Sequence, residues 1–355
     1  MNDDRYLIAR SEDATPEWFT AVLRAAGTID AATSVVAADG MPVGTGQAGT
    51  TVRFALTYAD GTGPASLITK FGSIDPGSAS VSAASGAYET EVAFYREIAP
   101  TVTVDRPQCH YAAVEPGTAN TVLVFEDLAS AHQGDQIAGA SVEAVEAALV
   151  QAARLHGPRW GDPRLVGVGW LDRDVWTSVW PYWESVWQHF TKRYGEAFDD
   201  VTRTQGARLV GEIEHHRSLR ARNITPVHGD FRLDNLLFHP PGQQRTVSVV
   251  DWQTARLGHG VEDVAYLVGT SFASADERRA AERSLVERYH AELCARGVAD
   301  YPFDECWQDY CGFAFSGLVM AVVASLAVVR TERGDAMFLA MASRSAQMAA
   351  DLYVP

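Results

Sequence analysis

The segment that most limits how this chain can fold lies in its second half. From Ser141 onward the residues read as helices, and one β-rich island, Thr225 to Val250, interrupts them. Inside the island, VHGDFRLDNLLF sets His228, Gly229, Asp230 and Asn235 in an H-x-D-x-x-x-x-N spacing. Sixteen residues after Asn235, TVSVVDWQ delivers Asp251 at the end of an apolar, β-branched run. Phosphoryl transfer to a hydroxyl needs a carboxylate that orients the nucleophile and takes its proton. It also needs hard oxygen donors for a cation that bridges the phosphates of ATP. Asp230 suits the first task, and Asn235 with Asp251 suits the second. A turn in which His228 and Asp230 only satisfy local backbone groups is the plainer reading of the first motif, and the second motif weighs against it.

The first 125 residues read differently, as strands with two helices. PEWFTAVLRAAG has apolar residues at helical spacing and stops at Gly27. TTVRFALTYADG and ASLITKF are β-rich runs joined by a D-G turn signal. GSIDPGSASVSAASG predicts a loop, AYETEVAFYREIA a helix ended by Pro100, and CHYAAVEPGTANTVLVFEDL a second hairpin. The fold class is therefore α+β, with a small β-rich N-terminal lobe, 1–127, ahead of a larger, mostly helical lobe, 128–355. Before the first hairpin, Gly44, Gly46 and Gly49 form G-x-G-x-x-G. With 29 glycines in the chain that pattern arises by chance roughly 0.2 times, so alone it is weak. A strand follows it, not the helix a dinucleotide fingerprint would open, so it suits a hairpin loop covering phosphates. Lys70, one of only two lysines against 27 arginines, ends the next strand. It is the candidate cation for the α- and β-phosphates. Its glutamate partner comes from Glu89, Glu91 or Glu97 on the following helix, and Glu91 is the choice because it precedes the apolar VAFY face.

Composition excludes some classes. The net charge of −16 disfavours nucleic acid, which rewards a basic patch. Cys109, Cys294, Cys306 and Cys311 contain no C-x-x-C pair, so free thiols are expected rather than a disulfide framework or a metal knot. MNDDRYLIAR at the start is polar and acidic, unlike a signal peptide, and a cytoplasmic location is expected. Cys311 to Val329 is uncharged for nineteen residues, long enough to span a bilayer. Its Gly and Ser interruptions and the lack of a flanking basic cluster favour a buried helix of the helical lobe, with no membrane partner. Trp176, Trp180, Trp183 and Trp187 step by 4, 3 and 4, one face of a helix. A packing seam is one reading. A wall of the acceptor pocket, with Trp183 and Trp187 touching substrate, is the other.

Taken in order (glycine loop, Lys70, helix Glu91, H-G-D-x-x-x-x-N, strand Asp251), these residues resemble the aminoglycoside phosphotransferase and choline kinase superfamily. YETEVAFYREIAP, LVFEDL, ALVQAARLHGPRW and VVDWQTARLGHGVEDVAYL look like its ecdysteroid-kinase-like branch, and HGDFRLDNLLFHP is similar to kinase domains fused to some acyl-CoA dehydrogenases. The resemblance implies a protein-kinase-like two-lobed fold and an ATP-dependent small-molecule kinase using Mg²⁺. It implies Asp230 as catalytic base, Arg232 near the γ-phosphate, Asn235 and Asp251 as metal ligands, and Lys70 with Glu91 as phosphate clamp. Phe125 to Leu128, with Glu126 and Leu128, would be the hinge that reads adenine. Asp263 matches an aspartate that supports the catalytic loop. Gly260 stands where many relatives have Pro, which predicts a looser turn. Asp251 and Asp263 are too close for a protein-kinase activation segment. The expected partner is a hydroxylated, largely apolar molecule, steroid-like or acyl-type; an aminoglycoside is the alternative. A nucleotide-binding module without catalysis is the alternative of another class.

Overall fold

The computed structural model describes residues 4–43, 49–172 and 179–353. The chain divides into two compact units, Met1–Pro100 with Arg106–Ala129, and Thr101–Asp105 with Ser130–Pro355.

The first unit opens with α1 (Pro16–Ala25), capped by the Thr15 hydroxyl accepting from Trp18 N at 3.2 Å, with Pro16 at its first position. Five strands follow: β1 (Val35–Pro42), β2 (Gly49–Tyr58), β3 (Ser66–Gly72), β4 (Cys109–Val114) and β5 (Thr121–Glu126). They form one antiparallel sheet in the order β1-β2-β3-β5-β4. Val52, Phe54 and Leu56 alternate inward along β2 and pack with Phe19, Val22 and Leu23 of α1. β1 ends at Pro42, β2 begins at Gly49, and the two strands pair antiparallel.

Between β3 and β4 lie α2 (Pro76–Ser85) and α3 (Ala87–Ala93). The expected loop at 72–86 is thus corrected to a helix. Asp75 caps it by accepting from Ser78 N at 2.8 Å, Pro76 occupies the first turn, and Gly86 ends it at φ +71°. Those three signals were in the sequence, masked by the Gly and Ser content around them. The next helix does reach Pro100, but only by running from α3 through a π turn, Phe94–Ile98, and a 3₁₀ turn, Ala99–Thr101.

The second unit contains β6 (His132–Gln133), α4 (Val142–His156), α5 (Trp183–Tyr194), α6 (Asp200–Leu219), β7 (Ile224–Val227), β8 (Leu236–Phe238), β9 (Val247–Val249), β10 (Arg256–His259), α7 (Gly260–Ser271), α8 (Ala275–Ala295), α9 (Phe303–Gly312), α10 (Ser316–Ala327) and α11 (Glu332–Leu352). The β island resolves into two small sheets, β10-β7 and β6-β8-β9. Every residue of α7 is buried, with α4, α9, α10 and α11 packed around it. The uncharged stretch breaks at Phe313–Phe315 into the end of α9 and α10, whose residues from Leu318 to Val323 are buried. Among the described residues no single helix is long and apolar enough to cross a membrane.

The tryptophan face is also corrected. Trp180 lies in a 3₁₀ turn and α5 starts only at Trp183, while Trp176 is outside the described residues. Trp183 and Trp187 are 2% and 8% exposed. The Trp187 ring stacks on Phe190 and Phe198 and fills the space beside Gly206, where a Cβ would come within 2.0 Å of it. Both rings are packed in the interior, the seam and not a pocket wall.

Candidate active site

In the first unit Lys70, on β3, extends its ammonium to Glu91 Oε2 at 2.7 Å. Glu91 is buried on α3 and its carboxylate is 3% exposed. Glu89 is not the partner, since its carboxylate accepts from Gly117 N at 2.8 Å. Gly49 opens β2 against the Phe71 carbonyl, which a Cβ would meet at 2.5 Å. Gly44 and Gly46 lie outside the described residues. Glu126 ends β5 and exchanges bonds with Gln108, its own N–H donating at 2.9 Å and its carboxylate accepting at 3.1 Å. Asp127, between Glu126 and the half-buried Leu128, takes both Arg53 nitrogens, at 2.8 and 3.2 Å, and the Ser66 hydroxyl at 2.7 Å. That bidentate pair pins the segment after β5 to β2 and β3.

In the second unit the pairing of β8 with β9 governs the geometry. Leu236 faces Val249, and Val250 N donates to Asn235 O at 3.0 Å, so Asn235 and Asp251 emerge at the same end of the ladder. Asp251 has φ +68°, a conformation uncommon outside glycine, and Gln253 Nε2 donates to its carboxylate at 3.3 Å. Asn235 Nδ2 donates to Asp230 O at 2.8 Å and to Asp230 Oδ2 at 2.9 Å. That orientation leaves Asn235 Oδ1 without a donor among the described residues. An amide oxygen and a carboxylate at one strand end fit a hard cation completing its shell with phosphate oxygens and water. No group of three or more His, Cys, Asp or Glu suited to a metal occurs among the described residues.

Asp230 is surrounded by donors. Arg232 Nε straddles its oxygens at 3.2 Å each, and Tyr266, on α7, donates its hydroxyl to Oδ1 at 2.8 Å. Arg232 Nη1 goes to Asp234 Oδ2 at 2.6 Å and lies 3.3 Å from Met337 Sδ. Burial opposes the Arg232 charge, but the carboxylates of Asp230 and Asp234 outweigh it and hold the guanidinium protonated. Burial alone would raise the Asp234 carboxyl; Arg232, the Gln136 N–H and Arg333 bring it below its ordinary value.

The backbone beneath the loop is fixed as tightly. Asp263 accepts from His228 N at 2.7 Å and Gly229 N at 3.0 Å, and His156 Nε2 lies 3.2 Å from it. His228 accepts from Asp230 N at Nδ1, 3.2 Å, and meets Val250 O at Nε2, 3.0 Å, which calls for the tautomer protonated on Nε2. Gly229 has φ +79°, and a Cβ there would meet the Thr254 carbonyl at 2.5 Å, which explains the glycine between His228 and Asp230. Gly260 is the reverse of a loose turn. It is buried, and a Cβ would meet Tyr289 Oη, His156 Nδ1 and the Trp160 ring at 2.9 to 3.0 Å.

Two supporting residues escaped the sequence reading. Buried Gln136 bonds Asp234 Oδ1 through its N–H at 2.9 Å, Leu233 N through Oε1 at 3.0 Å and Thr270 O through Nε2 at 2.9 Å. Tyr266 carries no local motif; the one available signal was its position three residues after Asp263, on the same helix face.

The phosphotransferase enzyme family model matches residues 55–303. Among curated proteins the chain is 40% identical over 79 residues to mouse acyl-CoA dehydrogenase family member 10, covering 22% of this chain and 7% of that protein. It is 33% identical over 101 residues to rat acyl-CoA dehydrogenase family member 11, covering 28% and 11%. The chain thus spans about a tenth or less of these curated relatives. Solved structures that share its fold include choline kinase from Cryptosporidium parvum, at TM-score 0.57 and 10% identity over 95% of this chain and 96% of that one. A microcompartment-associated aminopropanol kinase follows at TM-score 0.54 and 16% identity over 87% and 90%. The GDP complex of aminoglycoside 2'-phosphotransferase-IIIa gives 0.53 and 13% over 93% and 98%.

Proposed function

The chain belongs to the phosphotransferase enzyme family, and from that premise we propose that it transfers the γ-phosphoryl group of ATP to a hydroxyl on a small, steroid-like or acyl-type molecule. The observation that supports this reading is the β8–β9 register, which brings Asp251 to the same ladder end as Asn235, itself bonded to Asp230. Asp230 takes the proton of the acceptor hydroxyl as that oxygen bonds to the γ-phosphorus. The bond from phosphorus to the β-γ bridging oxygen breaks, and ADP leaves with that electron pair. Lys70, oriented by Glu91, holds the α- and β-phosphates, and the segment from Phe125 to Leu128 takes the adenine. A Mg²⁺ bound by Asn235 and Asp251 would neutralise phosphate charge. The fit of the motifs to the ecdysteroid-kinase-like branch belongs to the same proposal.

For the acceptor, the support is the neighbourhood of Asp230. Arg232 adjoins it, and Arg333 reaches Asp234 at 3.4 Å while 52% exposed, with Met337 beside Arg232. A polycation losing water there would need clustered free carboxylates, whereas Asp230 and Asp234 already carry arginine. The short matches to acyl-CoA dehydrogenases point the same way. The buried Trp183 and Trp187 contribute nothing to this choice.

The test is phosphate transfer from ATP in a panel at equal concentration: a kanamycin-type aminoglycoside, choline, a polyhydroxylated steroid and a hydroxyacyl-CoA. Transfer to the steroid or the acyl alcohol is expected. Efficient transfer to the aminoglycoside alone overturns the acceptor assignment, and ATP binding with no transfer to any compound favours the non-catalytic module.

A further inference from the structure

The carboxylate of Asp230 offers about four lone-pair positions, and the structure fills both oxygens. Oδ1 takes the Tyr266 hydroxyl at 2.8 Å and a share of Arg232 Nε at 3.2 Å; Oδ2 takes Asn235 Nδ2 at 2.9 Å and the other share of Arg232 Nε, also 3.2 Å. A carboxylate that is to receive a proton from an acceptor hydroxyl must open one position. The three donors are not equally exchangeable. Asn235 is 5% exposed and fixed by a second bond to Asp230 O. Tyr266 is 2% exposed on a helix buried along its whole length. Arg232 makes the longest contacts, divides one N–H between two oxygens, and stays tethered through Nη1 to Asp234 after letting go.

We infer that Tyr266 is the positioning residue of this site: its hydroxyl fixes the rotation of the Asp230 carboxylate, with Arg232 as the contact an acceptor hydroxyl displaces. The inference rests on Asp230 as catalytic base. Burial, and then the negative charge of Asp230, keep the Tyr266 phenol protonated well above its ordinary range, so it remains a donor. The proton that leaves the acceptor goes to Asp230, and Tyr266 keeps its own. Removing the hydroxyl frees the carboxylate to rotate about its Cβ–Cγ bond, which lowers the fraction of complexes aligned for transfer and leaves nucleotide binding alone.

The experiment compares Tyr266→Phe with wild type by Mg-ATP calorimetry, by thermal denaturation, and by transfer to whichever panel compound the wild type phosphorylates. The expected result is kcat lower by about tenfold, KM values for ATP and acceptor within about twofold, and more ADP formed per phosphorylated product. Thr270→Val is the control. Thr270 Oγ1 donates to Tyr266 O at 2.7 Å on the same helix and does not touch Asp230, so it should cost stability without lowering kcat. Unchanged kcat in Tyr266→Phe, an equal kcat loss in Thr270→Val, or a Tyr266→Phe chain that does not fold each overturns the inference. A wild type that phosphorylates nothing in the panel overturns the kinase reading and this inference with it, an outcome separable from the other three because it appears before any variant is made.

Discussion

In the N-terminal unit two carboxylates are buried among the described residues, Glu91 against Lys70 and Asp127 against Arg53 and Ser66, each in a small cluster beside a sheet packed by apolar contacts. The C-terminal unit buries charge in networks. Glu262 lies between Arg220 and Arg256; His259, Tyr301 and Arg222 converge on Asp309; His156 meets Asp263. Burial opposes the Glu262 charge, but its two arginines hold it down to about 2. The difference follows from what each site is built on. Lys70 and Glu91 stand on a long strand and a helix that apolar packing already orders. The Asp230 loop joins strands of three or four residues, with little apolar surface of its own, so hydrogen bonds from α7, Thr254 and the Gln136 segment must hold it. One lost partner should therefore be tolerated structurally in the first unit and felt in the second.

The largest effect expected is in the second unit. Asp230→Asn should lower kcat by roughly 10²–10⁴ while calorimetry shows Mg-ATP still bound, because the carboxylate acts on the acceptor. A variant that keeps more than about a tenth of wild-type kcat would remove Asp230 from the role of base. Asp251→Ala should be as damaging, and excess EDTA should abolish turnover reversibly; full activity in EDTA would end the metal assignment. In the first unit, Lys70→Ala should raise the KM for ATP and lower kcat/KM about 10–100-fold, the size of a lost charge-assisted contact. Its melting temperature should stay near that of wild type, and a large drop would erase the contrast between the units.

Two smaller effects sharpen the comparison. Gly229→Ala forces a side chain into φ +79° and against Thr254 O, which should cost about 1–3 kcal/mol by denaturant titration and disturb the loop. His216 is wholly buried beside Arg220, with neither ring nitrogen hydrogen-bonded among the described residues, and burial lowers its pKa to about 3. The folded state keeps it neutral while the unfolded chain protonates near 6.5, so stability is full above that pH and falls as pH drops toward about 3. At pH 5 the loss from this group is about 2 kcal/mol. His216→Leu should flatten the melting temperature between pH 7.5 and pH 5, and an unchanged slope would show that another group sets the acid limb.

Much of this was legible in the chain because it is local. The H-G-D-x-x-x-x-N spacing, the strand Asp251, and Lys70 followed by a helix glutamate are short-range patterns, and local chemistry dictates how such turns and strand ends form. The cap signals of α2 were equally local and were outvoted by the composition around them. The tryptophan spacing predicted one helix face, but only Trp183 and Trp187 stand on α5, and the stacking of Trp187 on Phe198 decided what lies against it.

By itself the sequence pointed to the class of chemistry, through the order and spacing of Lys70, Glu91, Asp230, Asn235 and Asp251, and it determined the sheet-then-helix order of the chain. Tertiary structure alone decided what surrounds Asp230. Tyr266, Gln136, Arg333 and Met337 reach the catalytic loop from 36 to 105 residues away, and no periodicity spans such separations. It also decided that Gly260 is tight, because the atoms it would strike belong to α4, α8 and the Trp160 turn. Local sequence chooses backbone conformation within a few residues; which side chains then share one small volume depends on how distant helices pack, and that is a property of the whole fold.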